Sequence, residues 1–438
     1  MKEQRLISLD VFRGITIAGM ILVNNPGSWS TVYPPLLHAD WHGSTPTDWI
    51  FPFFLFIMGV AIPFSLGRRR EQSVPAGQLI RKVVVRTLII FGLGLFLAGF
   101  PHFGFREAQP VGKKTVLYIL LGIATLAIFM RGILQQKRFN DPMNAQRRRV
   151  LGYVALGLGI TMIVVGWGHY DLSTLRIPGV LQRIALVYLF CALIFLYTPV
   201  RAHYWITIAL LLGYWGLMTI VPVPGYGTAS LEPESNLGAW FDRLVLGTNH
   251  LWSQSKTWDP EGLLSTLPAI GTGMLGVFAG QWLRTGKEAY QKISGLLLAG
   301  TLLLAVSLTW DVFFPINKKI WTSSYVLYTG GIAMLFLCLC YWAIDVMGWK
   351  RWAYPFKVFG MNALFVYVLS GLVAKMMYMI QLPGADGGTV SLQSLIYNHF
   401  YQAIWTGKAA SLAYAIGFVL SMYAANWILY RKRIYIKV

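Results

Sequence analysis

Stretches of about twenty mostly apolar residues recur along the chain, and they constrain its fold more than any other feature. A helix of that length crosses the hydrocarbon core of a bilayer, where a segment must satisfy its own backbone groups. The expected fold class is therefore all-α: a polytopic integral membrane protein of about twelve transmembrane helices, forming a single domain over residues 1–438. The stretches among the 438 residues lie near 9–24, 49–67, 81–99, 115–130, 150–167, 180–198, 203–221, 264–283, 291–310, 323–345, 357–380 and 409–430.

Composition and charge agree with a membrane protein. Charged residues make up 12% of the chain, whereas soluble domains carry about 25%, so a soluble enzyme and a disordered chain are excluded. Three cysteines are too few for a disulfide scaffold. Most of the 37 Lys and Arg fall in alternate loops, notably 68–70 and 147–149, which predicts that both termini are cytoplasmic. The net charge of +20 then reflects topology and anionic lipid, not nucleic acid.

Two large loops on the predicted outer side, 25–48 and 222–263, are rich in Trp, His and Asp. Long structured loops often carry function, so we expect loop 25–48 to be catalytic. His38 and His42 flank Trp41 there, and histidine is the side chain best suited to proton transfer near neutral pH. Their spacing matches no metal motif, and no metal is expected.

Acids and amides at the ends of the stretches allow two interpretations each. Asp48, in Thr-Pro-Thr-Asp, is either a helix-capping residue or the group that orients a histidine, and both can hold. Asp259 and Glu261 also fit a helix start, or they accept hydrogen bonds from a polar substrate. The tandem amides Asn24 and Asn25 end the first stretch, where they suit either termination or polar recognition.

A further set of polar residues could bind an anionic ligand. Arg13 is three residues after Asp10 and shares its helix face, so it forms an ion pair or binds an anion. Further residues of this set lie on the outer side, which is otherwise poor in positive charge. They bind an anion there, or their side chains extend to the membrane interface. These residues are Gln182, Arg183, Asn317 and Lys319, with the amide of Asn362 near the start of the eleventh stretch.

Several long blocks, in order from residue 5 to the C-terminus, resemble the heparan-α-glucosaminide N-acetyltransferase family of transmembrane acyltransferases. The blocks are RLISLDVFRG, HADWHG through FPFFLFIMG, RIPGVLQR, FDRLVLGTNHLW, DPEGLLSTLPAIGTGMLGVFAG, FPINKKIWTSSYV and ILYRKRI.

The resemblance implies transfer of acetyl from cytoplasmic acetyl-CoA to the amine of a glucosamine-type sugar on the opposite face. His38 matches the family's essential histidine, and Asn24 and Asp48 match its Asn and Asp. His38 would act as general base or as a transient acetyl carrier. We expect acetyl-CoA contacts from Arg13, Gln182, Arg183, Asn317, Lys319 and Asn362, and acceptor contacts from Asn25, Trp41, His42, His250, Asp259 and Glu261.

The chain also departs from the family. It starts at the first block, which implies that the lumenal N-terminal domain of the animal enzymes is absent, and it carries an added helix pair at about 115–167. A bacterial inner membrane, an amino sugar other than heparan sulfate and a homodimer are the expectations that follow. The alternatives are a secondary transporter for an amino sugar or other polar solute, an O-acyltransferase of the same superfamily, and a receptor or scaffold.

Overall fold

The computed structural model describes residues 6–100, 142–166, 172–383 and 388–436, and most of them are helical. The helices are α1 (Ile7–Asn24), α2 (Pro46–Ile62, continued by a π-helical turn, Pro63–Gly67, and by Arg68–Glu71), α3 (Ala76–Gly99), α4 (Pro142–Gly166), α5 (Val180–Tyr197), α6 (Val200–Ile220), α7 (Leu237–Leu246), α8 (Thr266–Leu283), α9 (Ala289–Asp311), α10 (Ser323–Cys340, continued by Tyr341–Val346), α11 (Tyr354–Met361), α12 (Ala363–Met379), α13 (Leu392–Ile396, continued by Tyr397–Tyr401) and α14 (Gly407–Arg431). Two short strands, β1 (Gln381–Pro383) and β2 (Thr389–Ser391), pair antiparallel with Gln381 opposite Ser391. Short 3-10 turns lie at Trp29–Thr31, Pro34–Leu36, Leu172–Thr174 and Thr248–His250.

Eight helices in the described part of the chain are long and apolar enough to cross a membrane, or nine if the bent pair α11–α12 counts as one. They are α1, α2, α3, α5, α6, α9, α10 and α14. These eight helices and the bent pair α11–α12 coincide with nine of the twelve predicted stretches, which confirms an all-α membrane protein. The count of twelve and the cytoplasmic termini stay predictions.

The other three stretches have different outcomes. The stretch near 264–283 is α8, which is not among the eight, although most of its residues are buried. The stretch near 150–167 overlaps α4. The stretch near 115–130, and with it half of the predicted added helix pair, lies outside the described residues.

Close packing of α2 against α8 forms the centre of the bundle. A Cβ atom added to Gly276 would lie 2.0 Å from the Phe56 carbonyl oxygen. A Cβ atom added to Gly59 would lie 2.0 Å from the Gly273 carbonyl oxygen. Helix association in a bilayer depends on such close approach, because lipid supplies no hydrophobic force between helices. The glycines of α8 are therefore the residues that let it pack in the core.

The bend between α11 and α12 is 84° and is centred on Asn362. The Asn362 amide nitrogen donates to Asn426 Oδ1 and to the Ile434 carbonyl, each at 3.1 Å, and its oxygen accepts from Ile436 N at 2.8 Å. A break in a buried helix leaves backbone groups unsatisfied unless side chains supply partners. Asn362, a predicted acetyl-CoA contact, thus uses these hydrogen bonds to connect the bend to α14 and the C-terminal segment.

The start of α1 is also tied to the bundle. Asp345 accepts from Ile7 N at 3.0 Å and from Ser8 N at 3.1 Å, which satisfies two free amides of the first turn. Further along α1, a Cβ on Gly14 would lie 1.7 Å from the Phe356 carbonyl oxygen. With α1 held in this way, Asn24 at its far end is brought beside the N-terminus of α2, where the loops after α1, before α5, before α8 and before α10 also meet.

We expect Gly276→Ala to destabilise the protein, because its new methyl group overlaps the Phe56 carbonyl and forces α2 and α8 apart. Overpacking of this kind costs about 1–3 kcal/mol or more. The matched control is Gly92→Ala in α3, where a Cβ meets nothing within 4 Å. Thermal unfolding in detergent should show a lower Tm for Gly276→Ala only; equal Tm values for the two variants would contradict the packing argument.

Candidate active site

His38 and Asp48 are in direct contact at one end of the bundle. His38 Nδ1 lies 2.7 Å from Asp48 Oδ1. The carboxylate side chain is 1% exposed, whereas the histidine side chain is 44% exposed and reaches toward open space. A buried acid that holds one imidazole nitrogen leaves the other nitrogen available for chemistry.

The position of Asp48 follows from the local sequence. Pro46 begins α2, and Asp48 Oδ2 accepts from Thr45 N at 2.9 Å and from Thr45 Oγ1 at 3.1 Å, as a capping acid does. Ala39 N donates to the same oxygen at 3.1 Å, and Tyr325 in α10 donates to the Asp48 carbonyl at 2.6 Å. Capping and histidine orientation, the two interpretations of Asp48, thus use different oxygens of one carboxylate.

Lys318 completes this cluster from a segment 280 residues away. Its Nζ lies 3.0 Å from His38 Nδ1, 3.2 Å from His38 Nε2 and 3.6 Å from Asp48 Oδ1. The side chain is 15% exposed, and burial lowers the pKa of its ammonium group, although the Asp48 and Glu261 carboxylates act in the opposite direction. One carboxylate therefore faces two nitrogen bases.

The turn that carries Lys318 is fixed by backbone contacts to the histidine loop. Gly43 N donates to the Ile316 carbonyl at 2.7 Å. Asn317, which is fully buried, accepts from Lys319 N at 2.7 Å and from Ile320 N at 3.1 Å, and its amide nitrogen lies 3.4 Å from His42 Nδ1. The predicted residues Asn317 and His42 are therefore partners of each other in this turn.

A cavity of about 260 Å³ opens beside the cluster. Asn24 at the end of α1 and the cations of Arg176, Lys318 and Lys319 lie on its wall. The other polar and aromatic lining residues are His38, Thr47, Phe51, Trp252, Trp258, Glu261 and Tyr367. Such a mixture of apolar walls and a few converging polar groups is typical of sites that bind small molecules.

Two arginines hold the Asp-Pro-Glu-Gly loop on one side of this cavity. Arg176 donates to Asp259 at 2.9 and 2.6 Å and to Glu261 at 2.6 Å. Burial disfavours its charge, but the two carboxylates more than compensate and raise the pKa of Arg176. Arg183, which is 1% exposed, donates to the carbonyls of Pro260 at 3.0 Å and Gly262 at 2.8 Å.

Asp259 and Glu261 are predicted either to begin a helix or to accept hydrogen bonds from a polar substrate, and they differ in what they contact. Asp259 is bound by Arg176 and also accepts from Glu261 N at 2.9 Å, so it serves the loop itself. Glu261 shares Arg176 but lines the cavity, where an acceptor molecule could reach it. The predicted acetyl-CoA contact Arg183 is committed to loop carbonyls and to Ser265.

Aromatic rings form another wall. Trp258 packs edge-on against Trp41 and Trp252, with ring centroids 5.1 and 5.5 Å apart. Lys319 Nζ lies 5.6 Å from the centre of the Trp258 ring and 5.9 Å from that of Trp41, and it contacts the Asp40 carbonyl. This cation–π contact directs Lys319 away from His38, although it is the next residue after Lys318.

The remaining predicted residues lie away from this cavity. Arg13 is 3.5 Å from Asp10, eleven residues before Asn24 on α1, which places it about 16 Å along the helix. Gln182 is buried against Gly94 and Gly179, and Asn25 donates to the Ile21 carbonyl at 2.7 Å. His250 Nδ1 lies 2.7 Å from the Leu175 carbonyl and joins two loops.

Sequence reasoning missed Arg176, Lys318, Trp252, Trp258 and Tyr367. Arg176 and Lys318 lie inside two of the recognised blocks, RIPGVLQR and FPINKKIWTSSYV, but nothing in the local pattern separates Lys318 from Lys319. In the described residues, no group of three or more His, Cys, Asp or Glu side chains is placed to hold a metal ion.

Asp242, in α7, contacts the end of the Asp-Pro-Glu-Gly loop. It is 2% exposed, and Leu263 N donates to its Oδ1 at 2.7 Å. Burial raises the pKa of Asp242 to about 7; the Leu263 hydrogen bond opposes the rise, and the negative Asp259 adds to it. Since the folded protein keeps this proton where the unfolded chain loses it, stability falls as the pH rises from about 4 to about 7.

We therefore expect Asp242→Asn to stabilise the protein at pH 8, by an amount on the order of a few kcal/mol, and to change little near pH 4, where the carboxyl group is protonated in the folded protein and partly protonated in the unfolded chain. The amide still accepts the Leu263 hydrogen bond and carries no buried charge. Thermal unfolding at both pH values measures the difference, with the exposed acid variant Glu232→Gln as the control. A pH dependence identical to that of the wild type would contradict the assignment.

Comparison with known proteins gives one consistent result. A family model described as a domain of unknown function, DUF5009, matches residues 5–221. The human heparan-alpha-glucosaminide N-acetyltransferase is 28% identical over a 414-residue alignment, and the match covers 83% of this chain and 52% of that protein. The mouse (Mus musculus) protein of the same name is 27% identical, over 83% of this chain and 53% of its own length. The chain thus spans about half the length of these curated relatives, and the resemblance inferred from its motifs is confirmed: it is similar in sequence to the heparan-alpha-glucosaminide N-acetyltransferases.

Proposed function

We propose that this protein is a transmembrane acetyltransferase that moves an acetyl group from cytoplasmic acetyl-CoA to the amine of an amino sugar at the opposite membrane face. The observation that carries the proposal is the 2.7 Å contact between His38 and the buried Asp48 beside a 260 Å³ cavity. The similarity to N-acetyltransferases supports the reaction class. The name of these relatives supports a glucosamine-type acceptor.

His38 serves as the base in this proposal. An amine attacks a thioester only in its neutral form and gives up a proton as the new bond forms, so a nearby base lowers the barrier. Because the Nδ1 proton is directed to Asp48, the lone pair of Nε2 is free to accept the proton that the attacking amine gives up. The same lone pair could instead attack acetyl-CoA and carry the acetyl group, and both routes need Asp48 to hold the ring.

Polar groups around the histidine fit the charges of the reaction. The carbonyl oxygen of the thioester becomes negative during attack, and Asn24, an exposed amide on the cavity wall, is the proposed hydrogen-bond donor to it. Asn25 is turned toward Ile21. Of the predicted acetyl-CoA contacts, Lys319 lines the cavity, and Arg13 lies toward the predicted cytoplasmic end of α1.

The acceptor side of the cavity has the features of a sugar site. Trp252 and Trp258 offer flat apolar surfaces, and Glu261 offers a carboxylate that can accept hydrogen bonds from hydroxyl or ammonium groups. Trp41 supports Trp258 from behind. We infer an amino sugar as the acceptor, with the amine oriented toward His38 Nε2.

We expect His38→Ala to lower kcat/KM for acetyl transfer by about 10²–10⁴-fold, because it removes the base. The assay is transfer of labelled acetyl from acetyl-CoA to glucosamine, glucosamine-ended oligosaccharides and muramyl sugars by the purified protein in detergent. His399→Ala, at an exposed histidine, is the matched control. Transfer that persists in His38→Ala would remove His38 from the mechanism.

Asp48→Asn tests the orienting role separately. The amide oxygen can still accept from Thr45 and Ala39, so α2 keeps its cap, but the amide nitrogen then faces His38 Nδ1 and holds the wrong tautomer. We expect a loss of roughly 10⁴-fold in kcat, as the same exchange causes in serine proteases, with little change in Tm.

Wild-type protein that transfers no acetyl group, yet takes up amino sugar into liposomes without acetyl-CoA, would favour the transporter instead.

A further inference from the structure

Lys318 is the one buried cation that contacts both ring nitrogens of His38 among the described residues, and the proposed reaction so far gives it no part. Resting on the proposed acetyl transfer, we propose that Lys318 is a catalytic residue that donates a proton to the departing sulfur of CoA and then regains one from His38. Three observations carry this inference: the charge balance of the cluster, the burial of the ammonium group and the rigidity of its turn.

The charge balance is unusual because Asp48 contacts two bases, while Glu261 adds a Coulombic attraction to Lys318. Oδ2 of Asp48 is already occupied by donors from Thr45 and Ala39, so only Oδ1 faces the cluster. His38 lies 2.7 Å and Lys318 3.6 Å from that oxygen. Two adjacent cations in a site of low dielectric constant repel strongly. When His38 takes the proton of the attacking amine, Lys318 is therefore driven to release one of its own.

The step balances without any further reactant. The acceptor nitrogen bonds to the acetyl carbon, the carbon–sulfur bond breaks, the amine proton moves to His38 Nε2, and an ammonium proton of Lys318 moves to the thiolate. His38 then returns its proton to neutral Lys318, whose Nζ lies 3.2 Å from Nε2. The products are the amide and the free thiol, and both residues regain their starting charge.

Burial matches Lys318 to a thiol. An ordinary lysine, with a pKa near 10.4, is a weak acid toward a thiolate whose conjugate thiol has a pKa near 8.5. The side chain is 15% exposed, and the loss of solvent lowers the pKa of Lys318 toward that of the thiol. Proton transfer is most effective when donor and acceptor have similar pKa values.

The turn is rigid enough to hold this geometry. The Gly43 to Ile316 hydrogen bond joins it to the loop of His38, and the buried Asn317 closes it from within. Lys319 points toward Trp41 and Trp258 instead. The two neighbouring lysines therefore have separate roles, and only Lys318 can exchange a proton with His38.

The decisive experiment varies the leaving group of the acetyl donor, with glucosamine as acceptor. Lys318→Met should lose about 10²–10⁴-fold in kcat/KM with acetyl-CoA, but much less with p-nitrophenyl acetate, whose phenolate leaves without a proton. His38→Ala should lose activity with both donors. Lys350→Met, at an exposed lysine outside the cavity, is the matched control.

Lys318→Arg separates a proton donor from a fixed charge. Arginine keeps the positive charge but holds its protons at every physiological pH, so we expect it to be nearly as slow as Lys318→Met with acetyl-CoA. Activity retained in Lys318→Arg, or equal losses of Lys318→Met with both donors, would overturn the role. A wild-type protein that acetylates no amino sugar with acetyl-CoA would overturn the proposed function instead.

One measurement needs no variant, so it decides the matter even if Lys318 substitutions fail to fold. Acetyl thioesters of increasingly acidic pantetheine-like thiols are given to the wild-type enzyme. If the sulfur is protonated as it leaves, the rate changes little along the series. A steep rise with thiol acidity would show that the thiolate leaves unprotonated and would exclude Lys318 as its donor.

Discussion

The Asp48 carboxylate is the point on which both the packing and the chemistry of this protein depend. It is almost fully buried, and an anion removed from water is tolerated only when every oxygen has partners. One oxygen caps α2 through Thr45 and also accepts from Ala39 N in the histidine loop, and the other faces His38 and Lys318. The cost of burying this charge therefore draws the start of a central helix, the histidine loop and a distant turn into one cluster.

The Asp-Pro-Glu-Gly loop repeats the same principle with the signs reversed. Arg183 is fully buried and bonds to loop carbonyls, while Arg176 is neutralised by Asp259 and Glu261. Because such charges lose much of their stabilisation when the geometry relaxes, they hold the loop in one conformation. A loop fixed in this way presents Glu261 and its neighbouring tryptophans to the cavity as preorganised groups.

Close helix packing supplies the base for both clusters. The glycines of α2 and α8 bring the two backbones into contact, so the N-terminus of α2, with Asp48, cannot shift relative to α8 and the loop before it. The site is thus built from loops, but each loop is anchored to the end of a tightly packed helix. This arrangement permits polar chemistry at the end of an otherwise apolar bundle.

Local physics allowed the sequence alone to predict much of this molecule. Long apolar runs need a bilayer, so the helical membrane class and the positions of most of its long apolar helices could be predicted, and the Thr-Pro-Thr-Asp pattern located the start of α2. The pairing of His38 with Asp48 was also within reach, since they are ten residues apart. Only the tertiary structure decided that Lys318, not Lys319, contacts His38. It also decided that Arg183 binds the Asp-Pro-Glu-Gly loop and that Asn362 stabilises the bend between α11 and α12. Those outcomes depend on contacts between segments tens to hundreds of residues apart, which no local pattern encodes.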